Sequence, residues 1–221
     1  MKNIFTISIL LLTFYSFSQS DSTSKNQVGF FYSPNYCGYQ FDGGYGFATG
    51  INYARKLTKR FSLNSGLLFS DQADNQYNSS FGNLVEDTGI KDTTYTYRNK
   101  YQFIEIPLIV DYYFLQREKL NVFVMGGITA NYFLGRKTSV EMTPTTGSII
   151  QNGYIDNPVS SFSTFVFSAS LGFGMEYKVN KDWNIILEPE YTIYAPSKSF
   201  NFGIGGYMYA VGVNCGVTRN F

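Results

Sequence analysis

The sequence contains no histidine among its 221 residues. This absence removes the imidazole base of Ser-His and Cys-His nucleophile pairs and the commonest protein ligand of zinc. We therefore predict a protein that is not an enzyme and that holds no metal and no cofactor. A catalytic site built on carboxylates alone is the disfavoured alternative.

Charge is also scarce, and its two signs balance. Asp, Glu, Lys and Arg make up 15% of the chain, against about 25% in an average soluble domain. The net charge of +1 gives no electrostatic footprint for nucleic acid, which excludes a basic nucleic-acid-binding protein. The two cysteines, Cys37 and Cys215, are too few for a disulfide framework.

Long apolar runs are missing except at the N-terminus. Lys2 precedes an apolar run over 4–15, and Ser16 and Ser18 occupy the −3 and −1 positions of a signal-peptidase site. The run is shorter than the roughly 20 residues that a spanning helix needs. The sequence predicts a signal peptide over 1–18, a short periplasmic lead-in over 19–27 and a barrel domain over 28–221.

Aromatic residues and glycine are abundant instead, with 21 Phe, 19 Tyr and 21 Gly. After residue 27 the hydrophobic pattern has a period of two, as in Val211, Gly212, Val213 and Asn214. This alternation indicates strands rather than helices. We predict eight strands, over 28–39, 45–57, 61–72, 101–114, 120–134, 162–179, 183–194 and 207–221.

The two faces of these strands differ in an unusual way. One face is large and apolar, whereas the other is rich in Gly, Ser and Asn rather than in Lys and Glu. A transmembrane barrel requires apolar residues toward lipid and polar residues inside. We predict an all-β fold, an eight-stranded antiparallel up-and-down barrel that is monomeric in outer-membrane lipid. The alternative is a soluble periplasmic calycin-like barrel whose Phe and Leu point inward onto an apolar ligand.

The connections between strands alternate in length, as they do in outer-membrane barrels. Short, charged connections that we assign to the periplasmic side lie at 58–60, 115–119 and 180–182. Longer connections that we assign to the cell exterior lie at 34–44, 73–94, 135–161 and 195–206. Pro107 and Pro189 fall inside predicted strands, where each should mark a bulge or a locally unpaired position.

Aromatic residues are predicted to form a belt at each membrane interface. The belt at the end with short connections comprises Phe61, Tyr112, Phe114, Tyr177, Trp183 and Phe221. The belt at the other end comprises Tyr45, Phe47, Phe69, Tyr132, Phe165, Tyr191 and Tyr207. We assign Tyr95, Tyr97 and Tyr101 to the outer belt as well, with a rim that binds a partner or glycan as the alternative.

The polar face carries the candidate site residues. They are Lys56, Glu105, Asp111, Glu176, Lys178, Glu188 and Glu190. Because eight strands leave room for side chains but not for a channel, we expect a network of ion pairs and water in the lumen. The alternative is a cation-attracting interior in which Glu188 and Glu190 are coupled.

Three segments resemble the PorT-like outer-membrane β-barrel family of Bacteroidetes-type bacteria. They are 28–36, 101–114 with its Glu-Ile-Pro motif, and 212–218. The resemblance implies an eight-stranded outer-membrane barrel without catalytic residues. The C-terminal Phe221 is similar to the assembly signal of most such barrels, which implies the outer-membrane assembly machinery as a partner. We expect a structural, adhesive or assembly- and secretion-associated role through the extracellular loops, with a possible protein partner there, and not a general porin.

Overall fold

The computed structural model describes residues 26–39, 42–80, 93–144, 151–155, 165–195 and 208–221. The predicted signal peptide and residues 19–25 of the predicted lead-in lie outside these ranges, and so does Tyr207. Within the ranges, no helix has the length and hydropathy needed to cross a bilayer.

The chain forms antiparallel β-strands. The strands are β1 (Asn26–Tyr39), β2 (Asp42–Lys56), β3 (Phe61–Ser80), β4 (Thr93–Gln116), β5 (Leu120–Pro144), β6 (Gln151–Ile155), β7 (Phe165–Lys178), β8 (Trp183–Tyr194) and β9 (Met208–Asn220).

Eight of these strands close into a barrel. The order runs β4-β3-β2-β1-β9-β8-β7-β5, and β4 pairs with β5 to complete the ring. The ninth strand, β6, is not part of the ring and pairs with residues 138–142 of β5. Closure gives every barrel strand a partner on both sides, which is the condition for placing backbone in hydrocarbon. The predicted eight-stranded antiparallel barrel is confirmed.

The strands are strongly staggered around the barrel. Followed from Leu108 through β3 and β2, the pairing reaches Val28 in β1. Followed the other way through β5, β7, β8 and β9, it reaches Gly38, ten residues further along the same strand. This stagger tilts the strands by about 40° and leaves an interior that side chains can fill.

The large apolar residues point outward. In β7 the exposed and buried positions alternate, and Leu171 is 70% exposed whereas Val166 is 2% exposed. The same outward parity holds for Phe30, Ile51, Tyr53, Leu67, Ile106, Leu108, Ile128, Phe167, Phe173, Ile185, Ile193, Val211 and Val217. A calycin-like carrier requires these side chains inside, so that alternative is wrong.

The two free cysteines follow the same parity. Cys37 is buried inside the barrel and Cys215 is exposed on the outward face.

Both prolines that fall in strands lie at interruptions of the hydrogen-bond ladder. Pro107 pairs with Thr129 of β5 but has no partner on the β3 side, and Pro189 pairs with Val213 of β9 but has none on the β7 side. In both places the register is the same on either side of the gap. Proline removes one hydrogen-bond donor but adds no extra residue to the strand. The predicted defects are therefore unpaired positions and not bulges.

Aromatic rings lie at both ends of the outward face. At the end that carries the short turns 57–60, 117–119 and 179–182, the Phe61 and Tyr112 rings are 5.1 Å apart, and the Arg219 guanidinium lies 5.9 Å from the Trp183 ring. At the other end, the Tyr132 and Phe165 rings are 5.3 Å apart. We call the first the inner end and the second the outer end.

Several predicted loops are strand instead. β1 continues to Tyr39 and β2 begins at Asp42, so most of the predicted loop 34–44 is a paired hairpin. β3, β4 and β5, which are 20, 24 and 25 residues long, likewise extend into the predicted loops 73–94 and 135–161. Hydrophobic alternation stops where water replaces lipid, but backbone pairing does not need it. We call 73–80, 93–100, 135–144 and 151–155 the outer sheet.

Candidate functional site

The barrel interior is built in layers. Toward the inner end lies an apolar cluster formed by Phe31, Ile109, Tyr113, Phe123, Met125 and Ile186. Toward the outer end lies a second one, formed by Cys37, Tyr101, Phe103, Phe133, Val166, Tyr194, Met208 and Ala210. We call them the inner cluster and the outer cluster. Between them is a cavity of about 100 Å³.

Glycines on neighbouring strands make room for the large inward rings. Phe123 is paired directly with Gly174, and Phe31 with Gly216. A Cβ atom at either glycine would overlap the facing ring. The alternation of the sequence predicts that these rings point inward. Because the inward face is otherwise rich in small and polar residues, the sequence does not predict two apolar layers. The cross-strand Phe–Gly pairing was the signal that could have revealed them.

Tyr101 belongs to the interior and not to the outer belt. It is 2% exposed, and the Arg136 guanidinium lies 5.8 Å from its ring. Its assignment to the outer belt is therefore wrong, because Tyr101 has the inward parity of Glu105 on the same strand. The side chains of Tyr95 and Tyr97 lie outside the described residues.

All five predicted lumen carboxylates point inward. Glu105, Glu188 and Glu190 line the central cavity. Asp111 and Glu176 lie on the inner side of it and are 2% and 1% exposed. These two accept hydrogen bonds from neutral side chains of other strands.

Asp111 accepts hydrogen bonds from Ser62 Oγ at 2.7 Å and Asn64 Nδ2 at 2.5 Å. Glu176 accepts from Gln27 Nε2 at 3.0 Å and from Asn121 Nδ2 at 2.9 Å. Amide and hydroxyl donors of this kind stabilise a buried carboxylate without a cation, and Asp111 Oδ1 is the one oxygen of these two acids that is buried without a hydrogen-bond partner among the described residues.

The carboxylates around the cavity are bonded in the same way. Asn214 Nδ2 donates to Glu188 at 3.3 Å and to Glu190 at 2.7 Å, so one amide bridges the two acids. Thr192 Oγ1 also donates to Glu190 at 2.9 Å, and Ser70 Oγ donates to Glu105. This arrangement fixes the cavity wall by bonds between strands.

Neither predicted lysine has an ion pair with a carboxylate among the described residues. Lys56 Nζ lies 5.9 Å from the ring centre of Tyr113. Lys178 Nζ donates to the Arg117 carbonyl oxygen at 3.4 Å, at the inner rim. The structure therefore brings the five acids together with amides and hydroxyls, and it places the lysines at the edge of that network.

The cavity offers oxygen acceptors to a small polar guest. Asn35 Oδ1 and Gln72 Oε1 have no hydrogen-bond partner among the described residues, and both side chains line the cavity. A space of about 100 Å³ accommodates a few water molecules at about 30 Å³ each. In the described part of the chain, no three acidic or cysteine side chains are close enough to hold a metal ion.

Removing one lumen acid should destabilise the barrel. We expect Glu176→Leu to lower the free energy of unfolding by about 2–4 kcal/mol, because it leaves two buried amide groups without an acceptor. Urea unfolding in lipid vesicles measures the loss. The matched control is Glu118→Leu in the exposed inner turn 117–119, which should change stability by about 0.5 kcal/mol or less. Equal losses in both variants would contradict the described hydrogen bonds.

Comparison with known proteins agrees with this geometry. The sequence profile of the outer membrane protein beta-barrel domain matches residues 12–208. No curated protein sequence matches the chain.

Solved structures of outer-membrane barrels are similar to the chain at low identity. Neisserial surface protein A has a TM-score of 0.51 at 11% identity, over 91% of this chain and 100% of that protein. A major outer membrane protein from Thermus thermophilus has a TM-score of 0.41 at 10% identity, over 89% and 99%. OprG from Pseudomonas aeruginosa has a TM-score of 0.38 at 9% identity, over 90% and 97%. Because the match to the family covers most of its length, the chain belongs to the outer membrane protein beta-barrel domain family and is a protein of the outer membrane.

Proposed function

We propose that the barrel is an anchor that holds the outer sheet at the cell surface for an adhesive or assembly contact with another protein. The observation that carries this proposal is the continuation of β3, β4 and β5 beyond the membrane as a paired sheet joined by β6. A general porin function does not fit, because two apolar clusters fill the lumen.

The strand lengths separate the anchor from the outer sheet. A tilted strand crosses a bilayer with about 9–11 residues, and β7, β8 and β9 have 14, 12 and 13. β4 and β5, with 24 and 25 residues, are 10–13 residues longer than these three strands. Their pairing continues to Thr93 opposite Pro144. A paired sheet is a more rigid platform than single loops, because its backbone entropy is already lost.

The edges of the outer sheet favour a protein partner. β3 pairs with β2 only as far as Asp71, so residues 73–80 have a partner strand on one side within the described chain. β6 is likewise paired with β5 alone. An exposed strand edge can bind another chain by strand addition. Within the family, we propose that the protein is a PorT-like barrel, on the resemblance of its Glu-Ile-Pro motif at 105–107.

Shortening the outer sheet tests this function. We expect a variant with residues 75–98 replaced by Asn-Gly, a two-residue turn between the paired Asp74 and Asn99, to lose cell adhesion and in-cell cross-links to other proteins. The matched control, Lys181→Gly, alters a turn at the inner end and should keep both. Both variants should still migrate as folded barrels in unheated SDS gels.

Two results would contradict the proposal. One is a shortened variant that remains folded and keeps full adhesion and all cross-links. The other is swelling of proteoliposomes in small sugars at a rate clearly above that of empty vesicles, because it would show an open pore.

A further inference from the structure

A pair of lysines lies on the outward face where β4 and β5 leave the membrane. Lys100 and Lys137 are directly opposite each other in the antiparallel register, and both side chains are exposed. Directly opposed residues have Cβ atoms about 5 Å apart, and like charges there oppose strand pairing. Neither ammonium group has a hydrogen bond or ion pair with another described residue.

Two further charged residues lie next to this pair on the outward face. Arg98 is exposed on the same face of β4, one outward position further from the membrane, and is paired with Ser139. Asp71 of β3 lies one step nearer the membrane, where it accepts a hydrogen bond from Gln102 Nε2 at 3.3 Å. The two ammonium groups thus face each other on the outward face, while the described carboxylate beside them, that of Asp71, is bonded to a neutral amide.

The height of the patch follows from the apolar residues below it. On β4 the outward apolar residues run from Ile104 to Phe114. Ten steps of about 3.3 Å at about 40° tilt span about 25 Å, which is the height of the apolar band of outer-membrane barrels. Lys100 lies four residues beyond Ile104, or about 10 Å further along the barrel axis by the same geometry. A lysine side chain reaches the headgroup layer from there.

We propose that Lys100 and Lys137 bind the phosphate groups of the phosphorylated glycolipid that forms the outer leaflet. A phosphate monoester carries nearly two negative charges and three acceptor oxygens, and each ammonium group supplies three donors. One phosphate between the two lysines turns a repulsive pair into a bridged one. This inference concerns the outward face of the barrel and does not depend on the role proposed for the outer sheet.

Binding of defined lipids to the full-length protein tests the site. We expect diphosphoryl lipid A to bind at least tenfold more tightly than fully dephosphorylated lipid A in neutral detergent, measured by native mass spectrometry at fixed salt. The double variant Lys100→Gln/Lys137→Gln should lose at least tenfold in affinity for diphosphoryl lipid A. The double variant Lys100→Arg/Lys137→Arg should keep its affinity. The matched control Lys119→Gln/Lys181→Gln makes the same charge change at the inner end and should bind like the wild type.

A second readout separates binding from folding. In vesicles of zwitterionic lipid, the Lys100→Gln/Lys137→Gln variant should be at least as resistant to urea as the wild type, because the repulsion is removed. In vesicles that contain diphosphoryl lipid A, it should be less resistant. Wild-type affinity in this double variant, equal loss in the inner-end control, or equal binding of dephosphorylated lipid A would each overturn the proposal. Competition by millimolar inorganic phosphate alone, without preference for the lipid, would also overturn it, because the site would then bind free phosphate.

Discussion

Replacing Leu171 by arginine should lower the free energy of unfolding in lipid vesicles by about 2–4 kcal/mol. Leu171 is 70% exposed and lies at the middle of the outward face of β7, between Gly126 of β5 and Tyr191 of β8. On the outward face of a transmembrane barrel, that position is at the bilayer midplane. A guanidinium there must leave water or deform the bilayer, and both cost free energy.

The depth of the position provides the control. Val179 lies just past the inner end of the same strand and is 54% exposed. Val179→Arg should cost about 0–1 kcal/mol, because charged groups near the interface keep contact with water. Urea titrations followed by Trp183 fluorescence compare the two variants. Equal costs at the two depths would show that β7 does not cross the bilayer as described.

Truncating Phe103 to alanine should lower the free energy of unfolding by about 3–5 kcal/mol. Its ring is fully buried in the outer cluster, 5.6 Å from the Phe133 ring and 6.2 Å from the Tyr194 ring. The closed backbone of the barrel limits how far neighbours can move into the space. The expected cost therefore includes both the lost contacts and a cavity that persists.

A smaller truncation at the same position distinguishes packing from other effects. Phe103→Leu keeps much of the buried volume and should cost clearly less than Phe103→Ala, about 1–2 kcal/mol by the same reasoning. Urea unfolding in vesicles measures both. A cost below about 1 kcal/mol for Phe103→Ala would mean that the outer cluster is loosely packed and does not seal the lumen.

The orientation of the strands could be predicted from sequence because lipid imposes a simple rule. A residue that faces hydrocarbon has to be apolar. In β7, outward residues such as Phe167 and Leu171 therefore alternate with the inward residues Ser168 and Ser170. A closed up-and-down barrel requires each strand to pair with the strands next to it, which predicts the pairing. Short charged connections such as 180–182 predict the inner turns. The fold of the membrane-spanning part was therefore predictable.

The outer sheet was not predictable by the same reasoning. Past Lys100 on β4 and Gly135 on β5, the period-two hydrophobic signal disappears from the sequence, although backbone pairing continues to Thr93 and Pro144. The strand propensity of the Thr and Tyr residues at 93–97 was the local signal that could have extended β4. Loop boundaries were therefore placed where hydrophobic alternation ended, about ten residues too early.

The sequence predicts which residues point into the barrel, but it does not predict which of them contact each other. Glu176 and Asp111 were assigned to the lumen because they alternate with apolar residues. Their partners come from other strands, as Gln27 of β1 and Asn121 of β5 do for Glu176 of β7. Such pairs depend on the stagger around the barrel, and periodicity within one strand carries no information about stagger.

Gel mobility of the outer-membrane fraction tests the central claim most directly. A closed barrel resists SDS at room temperature, because its strands have no free edge, and unfolds when boiled. We expect the protein in the outer-membrane fraction, with a change in mobility between unheated and boiled samples. Recovery as a soluble periplasmic protein, with the same mobility in both samples, would contradict the account of a lipid-facing closed barrel.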